Sequence, residues 1–156
     1  MAAAPGSSIP PEQTSATPYL TVPNADQALD FYARAFGGIE AYRLTGPDGA
    51  VVHAEMRIGD ATFMLGPEMP TMGVHGAGHF GGSPVRVAIY VEDVDAFVGR
   101  AKQAGATVQR PTEDQFYGDR SATLVDPFGL IWLFMTRIET VSVEEMQARL
   151  DRMFAG

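Results

Sequence analysis

No cysteine occurs among the 156 residues, which excludes disulfides, thiolate metal sites and cysteine nucleophiles together. The absence fits a reducing cytoplasm, the compartment expected here. Basic residues are scarce. Eleven Lys and Arg stand against 19 Asp and Glu, a formal charge of −8. Such a chain repels phosphate backbones, so nucleic acid is not an expected partner and a cationic small ligand is favoured instead. No apolar run approaches the roughly 20 residues that a membrane span needs, so no membrane partner is expected either. Met1–Ala16 has no Lys or Arg and no apolar centre. It lacks what a signal peptide requires and reads as a flexible N-terminal tail.

What remains is globular. Apolar residues make up 46% and charged residues 19%, on a length that suits one domain with a real core. The 17 Gly and 11 Pro imply short elements and many turns. The chain also repeats itself. Asn24 precedes helically spaced apolar residues at Ala28, Leu29, Tyr32, Ala35 and Phe36, closed by Gly37-Gly38. Asp93 precedes the same pattern at Val94, Phe97, Val98, Ala101 and Ala104, closed by Gly105. A capping residue before the first, a 3.6-residue apolar period in both and Gly after each mark two helices.

Each helix has one strand-like run before it and three after it. For the first these are Tyr19–Val22, then Ile39–Thr45, Ala50–Ile58 and Ala61–Leu65. For the second they are Val85–Val91, then Ala106–Gln109, Arg120–Val125 and Leu130–Met135. The order strand, helix, strand, strand, strand therefore occurs twice, and the expected class is α+β. The joining segment 66–82 is rich in Gly and reads as a loop. Its His75, His79, Met69 and Met72 suit a mobile lid or a dimer arm better than a zinc site, because the flanking glycines oppose the helix that His-x-x-x-His needs. Ser142 and Glu145 open a C-terminal helix with an apolar stripe at Val143, Met146, Leu150 and Met153.

Several strings resemble the vicinal oxygen chelate (glyoxalase/bleomycin resistance protein/extradiol dioxygenase) superfamily, in its PhnB-like branch. They are Pro18-Tyr19-Leu20-Thr21-Val22, Phe31-Tyr32, His53 to Asp60, Val91 to Asp95, Asp114 to Arg120 and Asp126-Pro127-Phe128-Gly129. The resemblance implies two tandem βαβββ modules with curved mixed sheets in one domain over 17–137. The first module covers about 17–66, the loop 66–82 and the second module about 83–137, with the C-terminal helix in 138–156. It also implies a homodimer. The positions that hold the metal in metal-dependent relatives fall here on Thr17, Met64, Arg86 and Leu133. Neither a thioether, an alkyl group nor a guanidinium can serve a divalent ion, so no metal and no other cofactor is expected.

Other groups remain for a ligand. His53 and Glu55 share one face of a strand with Arg57; they suit either a polar ligand and proton transfer or an ordinary solvated face. Arg86 and Tyr90 lie on one face of the next module's first strand. Arg86 suits a carboxylate or enolate oxygen, or merely balances an acid. Gln115, Phe116, Tyr117 and Arg120 combine stacking and polar groups, as small-molecule pockets do, though the aromatics also suit a plug and Asp119-Arg120 a local ion pair. Trp132 serves either core or ligand stacking. The expected function is metal-independent binding of a small organic molecule, in the manner of bleomycin-resistance proteins, with a cationic aromatic antibiotic as the favoured ligand. The competing expectation is a glyoxalase-like lyase, isomerase or dioxygenase that uses His53 and Glu55 or a non-standard metal site. A binding module for a metabolite is a third.

Overall fold

Side-chain caps set the helix starts. In the computed structural model, which describes residues Ser8–Gly156, Asn24 accepts the Gln27 N–H at 3.0 Å and opens α1, Ala25–Phe36. Gly37 ends it at φ 63°, a left-handed conformation that glycine adopts without Cβ strain. Asp93 accepts the Ala96 N–H at 3.0 Å and opens α2, Val94–Ala104. Ser142 accepts the Glu145 N–H at 3.2 Å and opens α3, Val143–Phe154. The Glu145 carboxylate binds Arg149 and Arg152 instead of closing a capping box.

The strands are β1 (Tyr19–Val22), β2 (Ile39–Thr45), β3 (Val51–Ile58), β4 (Ala61–Pro67), β5 (Arg86–Tyr90), β6 (Thr107–Asp114), β7 (Asp119–Val125) and β8 (Ile131–Arg137). They form two four-stranded mixed sheets, β1-β4-β3-β2 and β5-β8-β7-β6. Only β1 with β4 and β5 with β8 run parallel; the other pairs are antiparallel. The chain divides into two compact units between Gly81 and Gly82. Unit 1 holds α1 and the first sheet, unit 2 holds α2, α3 and the second. No helix among the described residues is long and apolar enough to cross a membrane.

Alternation decides what each sheet buries. In unit 1, Ala54, Met56, Phe63 and Leu65 pack under α1, where Tyr32 meets Phe36 and Phe63 ring to ring. In unit 2, Ala122, Leu124, Trp132 and Phe134 lie under α2, with Phe97 and Phe134 centred 4.2 Å apart. Each such large side chain contributes about 1.5–3 kcal/mol through burial. The opposite face of each sheet carries the polar members of the alternation and stays open.

Three expectations require correction. The segment 66–82 is not a loop without regular structure. β4 continues to Pro67, 3-10 turns follow at Pro70–Met72 and Ala77–Phe80, and Met69 bridges Val74. Glu68 organises it by accepting the Gly76 N–H at 2.7 Å. β6 does not stop at Gln109 but runs to Asp114 through Pro111. An edge strand tolerates Pro, which offers no N–H for pairing, and the register is irregular there. The expected tail lies in part, at 1–7, outside the described residues. At its described end it is anchored, since Gln13 reaches the open face of unit 1.

Candidate functional site

The open face of unit 1 is built from β1, β2, β3 and β4. Register places Tyr42 opposite Glu55, Glu55 opposite Met64 and Met64 opposite Tyr19. His53 stands two residues before Glu55 on the same face. The result is one hydrogen-bonded array. The Tyr19 hydroxyl meets His53 Nδ1 at 2.9 Å, and the Tyr42 hydroxyl lies 3.3 Å from His53 Nε2. Tyr42 also donates to Glu55 Oε1 at 2.8 Å, and Gln13 Nε2 donates to Glu55 Oε2 at 2.7 Å. Thr17 in turn donates to Gln13 Oε1 at 2.9 Å.

Glu55 is 6% exposed, and both its hydrogen bonds come from neutral donors. His53 Nε2, at 3.9 Å, is the only cation-capable group within 4 Å of it among the described residues. A buried carboxylate costs free energy unless its oxygens are satisfied, and here an amide and a phenol do that. The phenol responds: the Tyr42 hydroxyl is held above its ordinary pKa, first by its bond to Glu55 and then by desolvation. Beside the array, at the start of β2, the end of β3 and the turn into β4, opens a cavity of about 680 Å³, within the usual range for ligand pockets. Ile39, Ala41, Tyr42 and Met56 supply apolar surface, and Glu12, Glu55 and Asp60 supply negative charge against the single Arg57. Glu40 also lines the cavity but is neutralised by Arg43.

In unit 2 the open face carries Arg86, Tyr90, Asp119, Ser121, Thr123, Leu133 and Arg137. Tyr90 donates to Asp119 Oδ2 at 2.6 Å, while Arg137 approaches Asp119 Oδ1 at 3.4 Å and overlies the Tyr90 ring. The bond to Asp119 holds the Tyr90 hydroxyl above its ordinary pKa. A cavity of about 230 Å³ is lined by Arg86, Arg110, Gln115, Tyr117 and Leu133, among others.

The structure thus brings His53 and Glu55 together in unit 1, and Arg86, Gln115 and Tyr117 together in unit 2. Phe116 lies outside that cavity's lining. Its ring meets Tyr117 edge-on, and its carbonyl accepts from Arg149 at 3.1 Å. Two expectations fail. Arg120 lies on the helix side of its sheet, where it binds Asp95 at 2.7 Å and Asp114 at 2.7 Å. It cannot also reach a ligand on the opposite face. Trp132 is 0% exposed, in the core under α2, and donates to Asp126 at 2.9 Å, so it has no surface left to stack on a ligand.

Sequence reasoning overlooked Tyr19, Tyr42 and Gln13 in unit 1 and Arg110 in unit 2, and it weighed Ser121 and Thr123 only as nucleophiles, which no adjacent His supports. Alternation along β1 and β7 carried a signal for Tyr19, Ser121 and Thr123. Tyr42 and Arg110 needed the register across two strands, and Gln13 needed the fold-back of a segment without periodicity.

The positions at which the resemblance expects a metal carry side chains that do not suit a cation. In unit 1 Thr17 spends its hydroxyl on Gln13 and Met64 offers a thioether. In unit 2 Arg86 brings a positive charge and Leu133 an alkyl group. Among the described residues no three His, Asp or Glu gather into a metal-holding group.

The architecture and the sequence have counterparts. An uncharacterized protein of Mycobacterium bovis is 40% identical over 144 residues, covering 90% of this chain and 94% of its own. The structure of the Arabidopsis thaliana gene product At5g48480 superposes with a TM-score of 0.63 at 26% identity, covering 78% of this chain and 98% of that one. TioX of Micromonospora sp. ML1 gives a TM-score of 0.63 at 24% identity, over 83% of this chain and 100% of its own, a likeness of fold. The profile of one family spans residues 14–134, which takes in β1 through most of β8. With two βαβββ units in the chain and that match across them, the protein belongs to the Glyoxalase/Bleomycin resistance protein/Dioxygenase superfamily.

Proposed function

We propose that the protein binds a small cationic organic molecule with an aromatic or broad apolar body, without a metal, at the open face of unit 1. The observation that carries this reading is Glu55, a buried carboxylate satisfied by a phenol and an amide, beside a cavity of about 680 Å³ with apolar walls and an acidic balance. A cation entering there meets negative charge in a partly desolvated setting, where a charge-assisted hydrogen bond is stronger than in water. Tyr42 lines the cavity, and a phenol ring suits a cation. Binding of this kind needs no transition-state chemistry, so it tolerates a thioether, a guanidinium and an alkyl group at Met64, Arg86 and Leu133, where the resemblance expects metal ligands. The superfamily's description includes bleomycin resistance, and sequestration of such an antibiotic is the form of the reading to test first. The apolar surface exposed on α3 at Val143, Met153 and Phe154 supports a homodimer.

Isothermal titration calorimetry with metal-free bleomycin tests it, with a neutral aromatic compound of similar size as the control. Micromolar binding is expected for the cation. Glu55→Gln should weaken it by about tenfold, the worth of one charge-assisted contact. Unchanged affinity in a folded Glu55→Gln protein would remove the proposal's foundation. Intrinsic fluorescence is a poor substitute, because Trp132 is buried in unit 2.

A second reading rests on His53, whose two ring nitrogens meet two phenols close to a carboxylate. That arrangement suits acid–base work on a bound substrate, as in a lyase or isomerase. His53→Ala separates the two: it abolishes such turnover, whereas sequestration survives within a few fold.

A further inference from the structure

We infer that the open face of unit 2 holds a second binding site, for a small organic monocarboxylate, gripped by Arg86 and Arg110 together with the hydroxyls of Ser121 and Thr123. The site lies wholly in unit 2 and does not depend on the cation-binding reading of unit 1. Arg110 faces Thr123 in register across β6 and β7, and Thr123 faces Leu133 across β7 and β8. Leu133 faces Ala88 on β5, the strand that begins at Arg86. Arg86, Arg110, Ser121, Thr123 and Leu133 all line the cavity of about 230 Å³.

The state of the arginines singles out this place. Elsewhere in unit 2 every arginine has a partner: Arg120, Arg137, Arg149 and Arg152 are ion-paired, and Arg100 overlies the Phe97 ring. Among the described residues Arg86 and Arg110 make neither an ion pair nor a side-chain hydrogen bond. Two guanidinium groups that line one small cavity repel each other unless an anion lies between them. Ser121 and Thr123 are 5% and 3% exposed. No side-chain oxygen is sealed off without a partner among the described residues, and these two hydroxyls have no internal partner. Their oxygens therefore open on the cavity, as donors aimed at whatever fills it.

Shape and charge narrow the class. Glu113 also lines the cavity, so two positive charges face one negative charge. The balance suits a monoanion better than a dianionic phosphate. The planar guanidinium fork matches a carboxylate through two parallel hydrogen bonds. Leu133 and the Tyr117 ring give an apolar seat for the organic body. The volume is too small for a drug-sized molecule and leaves room beyond the carboxylate itself.

Benzoate, benzamide and inorganic phosphate are the probes. The full chain is titrated at low ionic strength, where charge pairing is least screened, and followed by amide and arginine side-chain NMR. Benzoate should shift Ser121, Thr123 and the Arg86 and Arg110 Nε–Hε resonances saturably, and benzamide should not. Arg86→Gln and Arg110→Gln should each weaken benzoate by about tenfold, the loss of one charge-assisted pair. Arg86→Lys, which keeps the charge without the fork, should fall between. Glu55→Gln should leave benzoate binding unchanged, which separates this site from that of unit 1. No saturable shift at these residues overturns the proposal. So does equal binding of benzamide, or unchanged affinity in both folded glutamine variants. Tighter binding of phosphate than of benzoate overturns the assignment to carboxylates.

Discussion

Tyr42 and Glu55 face each other across β2 and β3, and the phenol donates to the buried carboxylate at 2.8 Å. Removing the donor leaves Glu55 dependent on Gln13 alone among its close partners. Tyr42→Phe is therefore expected to lower stability by about 1–2 kcal/mol, the cost of an under-satisfied buried acceptor. Chemical denaturation of the two proteins measures it. No change in the midpoint would mean that water replaces the phenol without loss.

Alkaline titration reads the same bond from the other side. Tyr42 and Tyr90 are both held above the ordinary phenol pKa by a carboxylate acceptor, Glu55 and Asp119 respectively. A raised folded-state pKa gives stability that is complete below the unfolded value of about 10 and is lost as pH rises through the folded value. Difference absorbance near 295 nm between wild type and Tyr42→Phe, or Tyr90→Phe, should isolate a phenol that ionises later than a free one. A phenol with the ordinary midpoint would mean that the bond to the acid is absent in solution.

Two glycines with positive φ should behave differently. Gly118 has φ 94°, and a Cβ there would lie 2.5 Å from the Glu139 carbonyl oxygen and 2.8 Å from Val141. Gly49 has φ 82° with nothing within 4 Å. Gly49→Ala carries only backbone strain, about 1 kcal/mol. Gly118→Ala adds a collision with backbone and should cost at least about 2 kcal/mol. Thermal melts of both variants test the order, which a larger loss for Gly49→Ala would contradict.

Arg149 pins α3 through the Phe116 carbonyl and Glu139 and pairs with Glu145 within the helix, while no residue of that helix is buried. Hydrogen bonds from Arg149 hold both carboxyls below their ordinary pKa, with Arg152 helping at Glu145. Their contribution is then present above the unfolded carboxylate pKa and is lost as pH falls through the folded values. Amide protection factors in α3, taken relative to the intrinsic exchange rate at each pH, should fall on acidification before those of the sheet, and in Arg149→Met they should be low already at neutral pH. Equal protection of α3 in that variant would mean that apolar contacts hold the helix instead.

Trp132 ties the Asp126-Pro127-Phe128-Gly129 turn to the core. Asp126 accepts from the backbone N–H groups of Phe128 and Leu130 and from the indole, each at 2.9 Å. Trp132→Phe removes volume and one donor together and should cost about 2–4 kcal/mol. Acrylamide should barely quench the wild-type indole. Efficient quenching would place Trp132 at a surface.

The repeat was legible because it rests on local chemistry. Asn24 caps, Gly37 and Gly105 stop, and the apolar period before each stop survives any tertiary setting. His53 and Glu55 were legible as a pair on one strand face because alternation is also local. What surrounds them was not. Tyr42 joins Glu55 only through the β2–β3 register, which shifts between Glu40 and Tyr42. Arg110 sits on a stretch of β6 whose irregular pairing hid it from a period-2 reading. Trp132 and Arg120 misled for one reason. On a sheet with one covered face, residue type suggests a contact, but parity along the strand decides the side, and both fall on the helix side.

The contact between Gln13 and Glu55 also bears on how the protein is handled. A preparation trimmed to begin at Thr17, or clipped by a protease a few residues earlier, loses the amide that shields the carboxylate while keeping both sheets whole. Circular dichroism would report intact sheets, and the melt would shift only by the cost of one under-satisfied acceptor, yet affinities measured on it would describe a different charge environment from that of the untrimmed chain.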